Sequence, residues 1–164
     1  MGMDINRRGL LPLFSLWLAL MFCLVTPVWA SADGTPSSVE RAIAAQLELR
    51  PGGTVIGNRI EYPDGSGFVA VDVGVQSLGE CGSGWFCTWP NASYVGSLSY
   101  VSGTGPKTLT AFVGSFYNNR SGTARLFNNG GSAWTCYEDG AMKSSVATGY
   151  QNSPKVRLMS SVDC

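Results

Sequence analysis

Four cysteines, Cys81, Cys87, Cys136 and Cys164, fall between residue 81 and the end of this 164-residue chain and constrain its fold more than any other feature. A fifth, Cys23, sits apart in the apolar run GLLPLFSLWLALMFCLV, which follows Arg7 and Arg8 and leads to Val28-Trp29-Ala30. A basic start, a short apolar stretch and a small-residue exit read as a secretory signal peptide over residues 1–30. Pro12 and Ser15 interrupt the run, which argues against a membrane anchor, and Met21-Phe22 ahead of Cys23 argue against a lipid anchor. Export implies oxidising surroundings, so the remaining even number of cysteines reads as two disulfides. Of the three connectivities, Cys81 with Cys87 and Cys136 with Cys164 is expected, because the first two are already neighbours and the last sits at the terminus. Loop-closure entropy assigns about 2 kcal/mol to the shorter loop and about 4 kcal/mol to the longer.

Without its leader the chain has 134 residues, enough for one domain or a domain with a small companion. Nine Lys plus Arg stand against ten Asp plus Glu in this part, a net charge of −1. Near-neutrality argues against a nucleic-acid partner. No basic run is present to bind an anionic membrane after signal cleavage.

Two textures divide the mature chain. Residues 31–78 read as a helix followed by a hairpin, a segment that either packs on the rest or is removed as a prosegment. Ser37 and Glu40 have capping-box spacing, Val39, Ile43 and Leu47 recur every four residues, and Pro51-Gly52-Gly53 stop the helix. TVIGNRIEY and FVAVDV flank the turn PDGSG, which predicts a strand on each side. Residues 79–164 are all β in pattern: short aromatic and β-branched runs separated by Gly, Asn, Ser and Pro. SFYNNRSGTARLF (115–127) matches TGYQNSPKVRLM (148–159) with one deletion, a weak repeat of 33 residues. Two copies of a four-stranded unit are therefore expected, arranged as two Greek keys in a sandwich.

Histidine is absent from the chain, which removes Ser-His and Cys-His nucleophile pairs, His-ligated zinc and the usual general base near neutral pH. Glu138 and Asp139 are the only adjacent carboxylates, and strand neighbours point to opposite faces, so they cannot flank one bond as glycosidase acids do. Binding, not catalysis, is the expected class, with no cofactor. Trp89 and Trp134 are candidates for stacking on a ligand, against the alternative of core packing. Asn118, Asn119 and Ser121 carry oxygens suited to calcium, against the alternative of a turn whose Asn side chains bond to nearby backbone.

CGSGWFCTWPNASYVG (81–96), with Trp89 and Gly96 seven apart, then SFYNNRSGTARLF, and then the closing VRLMSSVDC occur together and in order. Over residues 81–164 this resembles the small secreted actinobacterial peptidase inhibitors typified by the Streptomyces metalloproteinase inhibitor. The resemblance implies a βγ-crystallin-like fold and a secreted metalloprotease as partner. It also implies a rigid loop presented to the protease cleft as a substrate is, and a monomer is expected. The exposed bond of such inhibitors follows a cysteine, and Cys136 and Tyr137 in AWTCYEDG match that position, with Glu138 next. Tyr137 is then expected to enter an apolar pocket while Cys136 anchors the loop. The chain departs from the family in having Ala141 where a second cysteine closes the loop, and in Glu138 and Asp139 after the bond. Gly122 stands where the calcium motif of such folds has Ser or Thr, so no strong metal site is expected. The competing class is a non-catalytic extracellular or toxin-like module that reads cell-wall glycan through Trp89 or Trp134.

Overall fold

Ser37 opens helix α1 (Ser38–Leu49) through a reciprocal cap: its hydroxyl accepts from the Glu40 N–H, and the Glu40 carboxylate accepts from the Ser37 N–H. The computed structural model describes residues 35–164; the expected signal peptide lies outside them. Val39, Ile43 and Leu47 are half-buried, and no helix residue is fully buried, so α1 is fastened mainly at its end. There the Arg50 guanidinium donates to Asp64 (2.9 Å) and to Ser66 Oγ (2.7 Å) and lies over the Tyr62 ring at 3.8 Å.

TVIGNRIEY is not one strand. It folds back at Gly57-Asn58 into β1 (Thr54–Ile56) and β2 (Arg59–Glu61), with Ile56 paired to Arg59. A glycine and an asparagine between two short apolar runs form the tightest hairpin connection. PDGSG then turns the chain into β3 (Ser66–Val69).

Eight further strands follow: β4 (Trp85–Trp89), β5 (Leu98–Ser102), β6 (Gly105–Thr108), β7 (Ser115–Asn119), β8 (Ala124–Phe127), β9 (Trp134–Tyr137), β10 (Met142–Lys143) and β11 (Lys155–Leu158). Among the described residues they make two antiparallel sheets, ordered β1-β2-β3-β5-β4-β7-β10 and β6-β11-β8-β9. The protein is thus mainly β with one helix. The hairpin β2-β3 is continuous with the larger sheet, because β3 pairs with β5 from Ser66–Val101 to Val69–Leu98.

Strands β4–β7 and β8–β11 each place their first strand between the second and the fourth, and each sends its third strand to the other sheet. Two four-stranded units therefore exist, but the 33-residue repeat does not bound them. It aligns β8, the first strand of the second unit, with β11, its fourth, and these two lie side by side. Its turn segment matches β7 with a 3-10 turn at Thr148–Tyr150. The x-Arg-Leu-x resemblance reflects a shared in-out alternation on neighbouring strands, not a duplicated unit.

Alternation along β4 explains the two cores. Phe86 joins Val101, Phe116, Leu126, Val156 and Leu158 between the sheets. Cys87 and Trp89 point the opposite way, into a cluster with Val69, Cys81, Leu98 and Tyr100 on the outer face of the larger sheet. The Cys81–Cys87 disulfide ties the strand to the segment that covers this second cluster. Gly67 lies under Tyr100, which in turn stacks on Trp85 with ring centroids 3.7 Å apart; a Cβ at residue 67 would run into the Tyr100 ring.

Candidate functional site

Cys136 and Tyr137 lie at the end of β9, the outer strand of the smaller sheet, paired with Arg125 and Ala124 of β8. Glu138, Asp139 and Gly140 follow as an exposed turn, and Met142-Lys143 then enter the other sheet. The turn closes on itself through Ala141 N–H donating to the Glu138 carbonyl at 3.2 Å.

Asn118 holds this turn from beneath. Its backbone N–H donates to the Ala141 carbonyl and its carbonyl accepts from the Gly140 N–H, each at 2.9 Å. Its side-chain amide donates to the carbonyls of Glu138 (2.8 Å) and Gly122 (2.9 Å). The residue is 0% exposed, so these bonds are shielded from water, and its Oδ1 is buried without a partner. Cys136 is bonded to Cys164, which tethers β9 to the C-terminus.

Tyr137 is turned inward. Its ring meets Phe116 edge-on at 4.5 Å and packs on the core between the sheets, beside a cavity of about 190 Å³ that Tyr150 and Val146 also line. Burial, with Tyr150 nearby, raises its phenol above the ordinary value of 10.0. The part of this segment open to solvent is therefore the Glu138–Gly140 turn, not the Tyr137 ring.

The two tryptophans proposed for stacking part company. Trp89 is 0% exposed, its indole N–H donating to Ser77 Oγ at 2.7 Å, and so it cannot meet a ligand; it is a core residue of the larger sheet's outer cluster. Trp134 is 44% exposed on β9.

Asn118, Asn119 and Ser121 do not converge on a cation. The Asn118 amide occupies the carbonyls just described, the Asn119 amide donates to the Cys81 carbonyl at 2.8 Å, and Ser121 is exposed. Next to them the Arg120 guanidinium is buried and donates to the carbonyls of Gly103, Thr123 and Met159, its acidity raised by burial. Carbonyls in this turn are thus met by side-chain donors. Gly122 is required there because a Cβ would collide with the Met159 carbonyl. Among the described residues no cluster of three or more His, Cys, Asp or Glu is present to hold a metal.

The clamp by Asn118 was not legible as such: a buried Asn in SFYNN reads as a turn residue. Its only sequence signal is a polar residue two places from Phe116, on the strand face that is otherwise core.

No curated protein and no solved structure matches the chain. A family model does, over residues 76–148, which runs from just before Cys81 through the Glu138–Gly140 turn. Its description names inhibitors, not enzymes, in agreement with the lack of any catalytic constellation read from the sequence. Residues 76–148 match the model of peptidase inhibitor family I36.

Proposed function

We propose that this protein is a secreted, monomeric inhibitor of metalloendopeptidases that docks through the end of β9 and its turn. The observation that carries the reading is the family match combined with a turn pinned on two sides, by the buried Asn118 amide and by Cys136–Cys164. A segment already fixed in shape loses little entropy when a protease closes on it. As the outer strand of its sheet, β9 leaves one backbone edge without a partner strand, which suits extended pairing in a protease cleft. Tyr137 serves as the anchor of the segment, and Cys136 as its tether. The contact to the protease falls to the backbone edge and to Glu138, Asp139 and Gly140. The strand order, with third strands exchanged between sheets, supports a βγ-crystallin-like double Greek key as the scaffold. Two disulfides suit an oxidising, extracellular location.

Titrating the purified protein against thermolysin-like and serine endopeptidases tests this. Stoichiometric inhibition of the metalloenzyme is expected. Inhibition confined to serine enzymes overturns the metalloprotease assignment, and no inhibition across the panel overturns the function.

A further inference from the structure

Ala124, Leu126, Val156 and Leu158 face the core, so the alternate residues Arg125, Phe127, Lys155 and Arg157 occupy the outer face of the smaller sheet. Register sets Arg125 directly opposite Arg157 on β11 and opposite Cys136 on β9, with Trp134 opposite Phe127. Each ring carries a cation: the Arg125 guanidinium lies 4.1 Å from the Trp134 ring centre, and the Lys155 ammonium 4.5 Å from that of Phe127.

Among the described residues no ion pair forms on this face. The ion pairs among those residues are Arg50–Asp64 and Arg59–Glu61, both elsewhere. Asp163 and the terminal carboxylate, brought to this edge by Cys136–Cys164, stand outside ion-pair distance of all three cations. Arg125 Nε is buried without a hydrogen-bond partner. Like charges directly opposite on paired strands are destabilising, and an unsatisfied buried donor adds to that cost. The facing arginines have no ion-pair partner among the described residues, which an external anion would supply to their guanidinium ends.

The chemistry narrows the ligand. Guanidinium forks fit carboxylates in two-point contacts, and stacking on Trp134 holds one fork in place. Arg157 stands about 4.8 Å across from Arg125 on the neighbouring strand and about 7 Å along its own strand from Lys155, so the three cations form a bent patch wider than a single small anion. An exposed indole beside them suits a sugar ring. The net charge of −1 over residues 31–164 gives no general attraction for a polyanion, so recognition rests on this face alone. We propose that the outer face of β8, β9 and β11 binds a linear acidic polysaccharide, with uronate carboxylates on Arg125, Arg157 and Lys155 and a sugar ring against Trp134. The face adjoins the β9 edge given above to protease docking but uses different groups, side chains of the sheet face and not the Glu138–Gly140 turn.

Binding of the purified protein to polygalacturonate, measured by calorimetry at low ionic strength, tests the site. Dextran, polyphosphate and single-stranded DNA serve as comparators. Saturable binding is expected for polygalacturonate and none for dextran. The double change Arg125→Ala with Arg157→Ala should weaken binding about tenfold or more. Trp134→Ala should weaken it, Trp134→Tyr should restore it, and Arg41→Ala on the exposed side of α1 should leave it unchanged. Should the double alanine variant unfold, as judged by its thermal transition, Arg125→Gln with Arg157→Gln replaces it. No binding to polygalacturonate overturns the proposal, as does binding indifferent to the two arginines. Equal affinity for polyphosphate or DNA, insensitive to Trp134→Ala, also overturns it and leaves a general anion patch.

Discussion

Replacing Asn118 by alanine removes the donors that the carbonyls of Gly122 and Glu138 use while leaving both under the sheet. Buried groups that lose a partner cost about 1–3 kcal/mol each, so a loss of roughly 2–6 kcal/mol is expected in urea unfolding. Inhibition should fall further than the stability change explains, because the Glu138–Gly140 turn is released in the folded protein. Inhibition that survives unchanged would show that the turn is not what docks. A second residue predicts a pH effect. Asp64 is held at about 2, below its ordinary 3.8, first by the Ser66 hydroxyl and then by the Ser66 N–H and Arg50, with burial opposing them. The unfolded chain takes up this proton near 3.8 and the folded protein only near 2, so the contribution is present above 3.8 and lost as pH falls towards 2. Asp64→Asn should flatten that part of the stability profile, with a small amplitude because the carboxylate is largely exposed. At this scale the sequence is informative about cysteines, whereas the outward Tyr137 that the family resemblance implies contrasts with a ring packed on Phe116. Cysteine spacing limits pairing strongly, whereas the direction of the Tyr137 ring is decided by Phe116, a strand residue that is remote in sequence.

The hairpin β2-β3 is attached to the larger sheet by backbone pairing and by one layered contact, Gly67 under Tyr100 under Trp85. Gly67→Ala would drive Tyr100 off its stack, and overpacking of this kind costs about 1–3 kcal/mol. Hydrogen exchange should quicken in the β3 and β5 amides and leave β8 and β11 unaffected; uniform change across the molecule would disprove a local fault. Elements governed by local rules were readable: the Ser37–Glu40 box, the stop at Pro51 and the PDGSG turn act within a few residues. TVIGNRIEY reads as one strand because its apolar residues mask the Gly57-Asn58 reversal. The repeat misled for a related reason, since β8 and β11 resemble each other as neighbours on one face and not as equivalent parts of two units.

At the scale of the whole molecule, the change of texture near residue 79 suggested a boundary that the hydrogen bonding does not follow. Composition distinguishes a helix and polar hairpin from aromatic strands, but strand pairing acts between backbones and is blind to that difference. Thus β3 covers the edge of β5 over four register pairs, and Lys107 on β6 reaches back to the Asp64 carbonyl at 3.2 Å. If residues 31–78 were a prosegment, their removal would uncover β5 along its full length, together with Tyr100, Leu98 and the outer cluster to which Val69 contributes. An exposed, apolar edge strand is a template for pairing with another chain. We therefore propose that the segment is retained in the working protein, and we expect residues 79–164 expressed alone to be less stable than the chain beginning at residue 31, and to self-associate. Sedimentation and thermal unfolding of the two forms, side by side, decide the matter. A monomeric 79–164 fragment with the same unfolding midpoint and full inhibitory strength would return the segment to the status of a removable prosegment. Loss of inhibition only on truncation would instead show that the hairpin supports the docking surface through the shared sheet, along the path from β5 through β4 to Asn118 on β7.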